Sequence, residues 1–253
     1  MINKYKKDLL SVRIYKNHIA LAYDAAHHTA KKIRQLLETS DSISIIFDAA
    51  PSQNEFLEAL AAQPNIDWNR ITAFHMAEYV GLPDDAAQGF GNFLRNHLFY
   101  KVLFKEVHYL NGNATDLEQE CNRYAGLLAE YKPEIVCMGI GENTHIAFNN
   151  PHVADLNETK TVKVVNLDEQ CRQQQVSNGC FASLNQVPTR ALTLTIPALF
   201  SPEVVFCMVP DRDKSQAVYY TLTENICAEY PSTVLRQHPN SILFLDKESA
   251  ILI

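Results

Sequence analysis

The sequence predicts an α/β fold in which a mostly parallel sheet carries helices on both faces. Short β-rich apolar runs alternate with helical-period segments of roughly 10–15 residues, the pattern that parallel strands and crossover helices impose. One such run, Ile135-Val136-Cys137-Met138, passes directly into a glycine turn, Gly139-Ile140-Gly141, as expected of a buried strand ending at a ligand-binding edge. No long linker, low-complexity segment or repeat interrupts the alternation, so one domain spanning residues 1–253 is expected.

Residues 17–38 carry Ile19, Ala22, Tyr23, Ala26, Ala30, Ile33 and Leu37 at helical spacing and predict an amphipathic helix. Residues 42–47 (SISIIF) read as a strand, 52–62 as a short helix opening after Pro51, and Ile71–His75 as the next strand. Residues 89–99 read as a helix and 107–110 as a short strand closed by Asn111-Gly112-Asn113. Residues 116–131 predict a helix with Asp116 at its start and Leu117, Cys121, Tyr124 and Leu128 on one face. Beyond the glycine turn, strands are expected at 161–165, 191–196, Val204–Val209 and 241–245, with helices at 169–176 and 214–223.

The chain is 47% hydrophobic and 20% charged, enough apolar residues for a sizeable core. The formal net charge is −7, and the basic stretch Lys4-Tyr5-Lys6-Lys7 is too small for a nucleic-acid surface, so no nucleic-acid partner is expected. No apolar run approaches the ~20 residues of a membrane span, and the first residues lack the apolar centre of a signal peptide. Six cysteines, Cys121, Cys137, Cys171, Cys180, Cys207 and Cys227, form no CxxC pair. A cytoplasmic protein with reduced thiols, no metal and no membrane partner is therefore expected. There are eight glycines and none before Gly81, so a glycine-rich phosphate loop after the first core strand is not available.

The motif GIGENTHIAFNNP, residues 139–151, places His145 four residues after its second glycine. An imidazole on a glycine-rich strand exit is a candidate acid/base; a surface histidine on a turn is the alternative reading of the same residues. His152 and Asp155 follow without metal-ligand spacing and read as loop residues. His75 reads as a buried strand-end histidine, and His27-His28 as a pair on a helix surface.

Five stretches, HMAEYVGLP (75–83), YLNGNATDLEQEC (109–121), MGIGENTHIAFNNP (138–151), VPTRALTLTIPAL (187–199) and VPDRDK (209–214), together resemble the glucosamine-6-phosphate deaminase/isomerase family, which includes galactosamine-6-phosphate isomerases. The resemblance implies a three-layer Rossmann-like sandwich, a small-molecule sugar-phosphate substrate and no cofactor, and leaves a homo-oligomer open. It implies a reaction in which an amino-sugar phosphate is opened, a proton moves between C1 and C2, and ammonia leaves a ketose phosphate. The related 6-phosphogluconolactonases share a Gly-x-Gly…His turn but fit HMAEYVGLP less well.

Carried over residue by residue, the resemblance assigns His145 to ring opening, and Arg172 and Lys214 to the substrate phosphate. It also marks departures. Glu78 and Tyr79 match the family's Glu-Tyr, but the preceding proton-abstracting Asp is Ala77. The carboxylates expected on either side of the histidine are Asn143 and Asn150. The phosphate loop Thr-Gly-Gly-Thr-Pro reads Phe47-Asp48-Ala49-Ala50-Pro51, leaving Ala49 and Ala50 as its N–H donors and a carboxylate at Asp48. Glu78 as a replacement base meets the objection that adjacent strand residues point to opposite faces. Glu142 reads as a solvated turn residue. Two readings follow: an amino-sugar-phosphate deaminase/isomerase with impaired or altered activity, or a non-catalytic member that binds a sugar phosphate as sensor or subunit.

Overall fold

The computed structural model describes residues 1–253. Its strands are β1 (Asn3–Lys7), β2 (Leu10–Tyr15), β3 (Ile43–Phe47), β4 (Ile71–His75), β5 (Ala77–Tyr79), β6 (Glu106–His108), β7 (Ile135–Met138), β8 (Val162–Asn166), β9 (Arg190–Leu194), β10 (Val204–Val209) and β11 (Ser241–Asp246). Its helices are α1 (His18–Leu37), α2 (Asn54–Ala61), α3 (Phe90–Leu94), α4 (Leu117–Tyr131), α5 (Glu169–Ser177), α6 (Ile196–Leu199) and α7 (Ser215–Thr223).

Eight strands form one sheet in the order β1-β2-β11-β10-β7-β3-β4-β6, parallel throughout except for the β1–β2 hairpin. From β3 the chain builds outward through β4 and β6, then returns to β7 and builds the other way through β10 and β11. The order therefore reverses between β3 and β7. In an open α/β sheet the crevice beyond the carboxyl ends of strands at such a switch point is the place where ligands bind.

Alternation along the strands makes two cores. Ile45, Phe47, Ala73, Cys137, Phe206 and Phe244 face α1, α2 and the turns after α3, whereas Ile46, Phe74, Val136, Met138, Cys207 and Leu243 face α4, α7 and a second sheet. That second sheet is antiparallel, in the order β5-β9-β8. The layers are those of a Rossmann-like α/β sandwich.

Four features depart from the expectation. The β1–β2 hairpin and β5 lack the long apolar runs that marked the other strands, and the expected strands β8 and β9 pair with β5 in a separate antiparallel sheet instead of joining the parallel one. In α1 the buried stripe is Leu21, Ala22, Ala25, Ala26, Thr29, Ala30, Ile33 and Leu37, while Ile19 and Tyr23 are exposed. Small side chains let α1 lie close to the sheet, and this rotates the two larger residues outward. Residues 95–99 continue α3 as a π-helical turn rather than regular α-helix. His28 also departs from the surface reading, being half-buried against Phe244.

α4 is tied to the end of β4 by one side chain. The Tyr124 hydroxyl accepts from the His75 N–H at 3.0 Å and donates to the His75 carbonyl at 2.9 Å, where the strand leaves the sheet. His75 is buried, bonded through Nδ1 to the Ala77 carbonyl and through Nε2 to the Leu110 N–H; burial pushes its pKa down to about 4. Tyr124→Phe strands the His75 backbone N–H, and we expect it to lower unfolding free energy by about 1–3 kcal/mol in denaturant titration. An unchanged midpoint would show that the tether contributes nothing.

Candidate active site at the sheet's switch point

The glycine turn after β7 is built around one ring. The Gly141 N–H donates to the His145 carbonyl at 2.9 Å, and the Thr144 N–H to the Gly141 carbonyl at 3.0 Å. A Cβ on Gly141 would lie 1.9 Å from His145 Cε1, so glycine is required for the imidazole to fold back over the turn. Thr144 and Ala147 take positive φ values of 69° and 51°, completing the reversal.

His145 begins a chain of amide hydrogen bonds. Its Nδ1 lies 2.6 Å from Asn143 Oδ1, and its own backbone N–H reaches the same atom at 3.3 Å. A backbone N–H can only donate, so this contact identifies the Asn143 atom as oxygen and Nδ1 as protonated. The Asn143 amide then donates to Asn150 Oδ1 at 3.2 Å, and Asn150 Nδ2 points at Cys171 Sγ, 3.5 Å away. Nε2 is left with a lone pair. Burial, with Lys214 adding to it, pushes the His145 pKa down to about 4, so the ring is neutral at physiological pH. The tautomer that a carboxylate partner would fix is thus also fixed by the amide; what the amide does not supply is negative charge to stabilise an imidazolium.

At the end of β3, Asp48 turns into the loop that the sequence resemblance assigns to phosphate. Its Oδ1 accepts from the Ala49 N–H and its Oδ2 from the Gly139 N–H, both at 2.9 Å. The carboxylate therefore bridges the exits of β3 and β7 at the switch point, and the Ala49 N–H is taken by a resident anion. Burial raises the Asp48 pKa to about 6, against the lowering effect of those two N–H groups and of Lys214.

Lys214 lies in the turn before α7 and is 8% exposed, with Nζ 3.5 Å from Asp213 and 3.9 Å from Glu142. Arg172 is elsewhere: its guanidinium donates to the Val187 carbonyl at 3.1 Å and the Leu184 carbonyl at 2.6 Å, fastening α5 to the segment before β9. It does not line the cavity beside His145. Glu78 is also occupied. Its carboxylate accepts from the N–H groups of Tyr79, Phe90 and Gly91 at 2.8–3.0 Å, holding the start of α3, and it lines a separate cavity. Ala77 is buried within β5.

The cavity of about 520 Å³ at the switch point is lined by Asp48, Ala49, Ala50, Gly141, His145 and Lys214 among others. Phe90, Phe93 and Phe148 form an apolar wall, and Gln174, Gln175 and Asn178 present amides from α5 and its end. Tyr79 also lines it, with a buried hydroxyl that has no hydrogen-bond partner. The sequence reading missed these amides and the aromatic wall. The one available signal was the polar run Gln173-Gln174-Gln175, a helical stretch with too few apolar residues to be there for packing.

A family model described as glucosamine-6-phosphate isomerases/6-phosphogluconolactonase matches residues 16–244. The chain belongs to that family. A glucosamine-6-phosphate deaminase from Listeria innocua is 32% identical over 227 residues, which is 88% of this chain and 95% of the relative. One from Bacillus cereus is 35% identical over 187 residues, 74% of this chain and 70% of the relative. Among solved structures, a monomeric glucosamine-6-phosphate deaminase superposes with a TM-score of 0.86 at 27% identity, covering 96% of this chain and 99% of that one. A 6-phosphogluconolactonase from Thermotoga maritima superposes with a TM-score of 0.77 at 19% identity, covering 94% of this chain and 100% of that one, a likeness of fold. No helix of this family member is long and apolar enough to cross a membrane.

Proposed function

We propose that this chain is a family member whose cleft binds a small sugar-type ligand and whose deaminase/isomerase chemistry is disabled. The observation that carries the proposal is the chain His145–Asn143–Asn150–Cys171, which contains no carboxylate. Moving a proton between C1 and C2 of an open-chain amino sugar needs a base at carbon. Ala77 cannot supply it, and Glu78 is held by three backbone N–H groups outside the cleft. Expelling ammonia needs an acid, and an imidazole with a pKa of about 4 is a poor proton carrier at neutral pH. His145 can still accept a hydrogen bond from a sugar hydroxyl through Nε2.

A lost general base lowers the rate by about 10²–10⁴. A lost orienting carboxylate does so by a comparable factor in the serine-protease template, although such losses do not multiply when the groups act as a unit. Here the tautomer is preserved, so the second loss is one of charge alone.

The test is release of ammonia and ketose phosphate from glucosamine 6-phosphate and galactosamine 6-phosphate by the purified protein. We expect turnover at least ~10² below the tens per second of a working enzyme. Turnover at tens per second with either compound would reject the proposal in favour of an active deaminase/isomerase.

A further inference from the structure

The peptide N–H groups at the exits of two neighbouring parallel strands, Ala49 after β3 and Gly139 after β7, converge at the switch point. Such convergence makes an anion cradle, which a ligand's phosphate would ordinarily fill. In this chain a side-chain carboxylate fills it. We infer that Asp48 stands in for the ligand's phosphate, so that the cleft selects an unphosphorylated sugar or amino sugar and rejects its phosphate ester. This inference rests on the sugar-binding reading above and specifies its ligand class.

Three further observations support it. The acidic side chains lining the cavity are Asp48, Asp211 and Asp213, against the single cation Lys214. Lys214 is already paired with Asp213 and Glu142, so its charge is compensated before any ligand arrives. Arg172, the other cation that the sequence assigned to phosphate, is bonded to main-chain carbonyls and absent from the lining. A phosphate dianion brought to the cradle would meet a carboxylate and find one donor set spent.

The remaining lining suits a polyhydroxy compound. The apolar wall of Phe90, Phe93 and Phe148 fits the C–H face of a sugar ring, and Gln174, Gln175 and Asn178 offer both donors and acceptors. The free Nε2 of His145 adds one acceptor. A ligand hydroxyl or ammonium can donate to Asp48 without displacing the two backbone N–H groups, because an ionised carboxylate accepts about four hydrogen bonds.

Isothermal titration of the full chain at pH 8 with glucosamine and with glucosamine 6-phosphate tests the inference, because the two probes differ only in the phosphate. For the wild-type protein we expect glucosamine to bind at least about 10-fold more tightly than the 6-phosphate. Asp48→Gly and Asp48→Asn should each tighten the 6-phosphate by about 100-fold or more relative to glucosamine, from removal of like-charge repulsion at close range. Thermal melts establish that the variants are folded; if neither is, the wild-type comparison still decides the matter. Tighter binding of the 6-phosphate by the wild type overturns the inference and leaves the sugar-site reading intact. Binding of neither probe by the wild type or either variant overturns both.

Discussion

Restoring the missing carboxylates, Ala77→Asp with Asn143→Asp and Asn150→Glu, in an Asp48→Gly background that admits the phosphate ester, is expected to raise ammonia release from glucosamine 6-phosphate by at least ~10² over Asp48→Gly alone. The gain has two physical sources. A carboxylate at position 77, the position that the family resemblance assigns to the base, is to take the carbon-bound proton, which requires it to reach the cleft from the packed strand β5. One at position 143, where the present amide oxygen lies 2.6 Å from Nδ1, stabilises the imidazolium and lifts the His145 pKa from about 4. The amides at 143 and 150 are 3.2 Å apart, so two carboxylates there would share a proton near neutral pH. Ala77 and Asn150 are both buried, so the triple variant pays in stability. Asn143→Asp alone separates the two issues: an NMR titration of His145 should show its pKa rising. A raised pKa together with a folded triple variant and no gain in turnover would mean that the carboxylates are not what limits the chemistry. The sign of the linkage is fixed by the lowered value. Wild-type His145 holds a proton less tightly folded than unfolded, so its contribution to stability is present above pH ~6.5 and is lost as pH falls toward about 4.

Gly141→Ala is expected to expel the His145 ring from its place. A Cβ would stand 1.9 Å from Cε1 and 2.1 Å from Nδ1, and no rotation of a methyl relieves that overlap. The imidazole must swing out, breaking the bond to Asn143 and leaving the amide chain without its first member. We expect the His145 pKa to climb from about 4 toward its ordinary value as the ring becomes solvated, and stability to fall by about 1–3 kcal/mol. NMR titration and denaturant unfolding read these separately. An unchanged pKa would show that the ring keeps its place and that the fit over Gly141 is looser than the geometry implies.

The strands with continuous apolar runs were legible in the sequence. β4, β7 and β10 lie where their runs begin and end, and β3 lacks one residue of the expected span. Such runs are buried on both faces of a parallel sheet and so carry a signal that no local interaction overrides. β1 (NKYKK) and β5 (AEY) lacked that signal. β1 is a polar, mostly exposed edge strand, and β5 is three residues long, so both are strands through their partners. The rotation of α1, with Ile19 and Tyr23 outward, was likewise a packing decision: a helical period fixes a stripe's spacing but not which of two overlapping stripes meets the sheet.

The candidate site divides along the same line. The sequence by itself determined that a glycine turn carrying His145 closes a buried strand, and that the positions around it hold amides and alanines in place of carboxylates. Those are facts of residue identity, and no fold can turn Ala77 into a base. Only the tertiary structure decided where the remaining charges point. Arg172 went to two main-chain carbonyls, Glu78 to the start of α3, and Asp48 across the switch point to the Gly139 N–H, 91 residues away in sequence. A charged side chain is claimed by whichever unsatisfied backbone groups packing leaves within its reach, and those groups come from segments far apart along the chain.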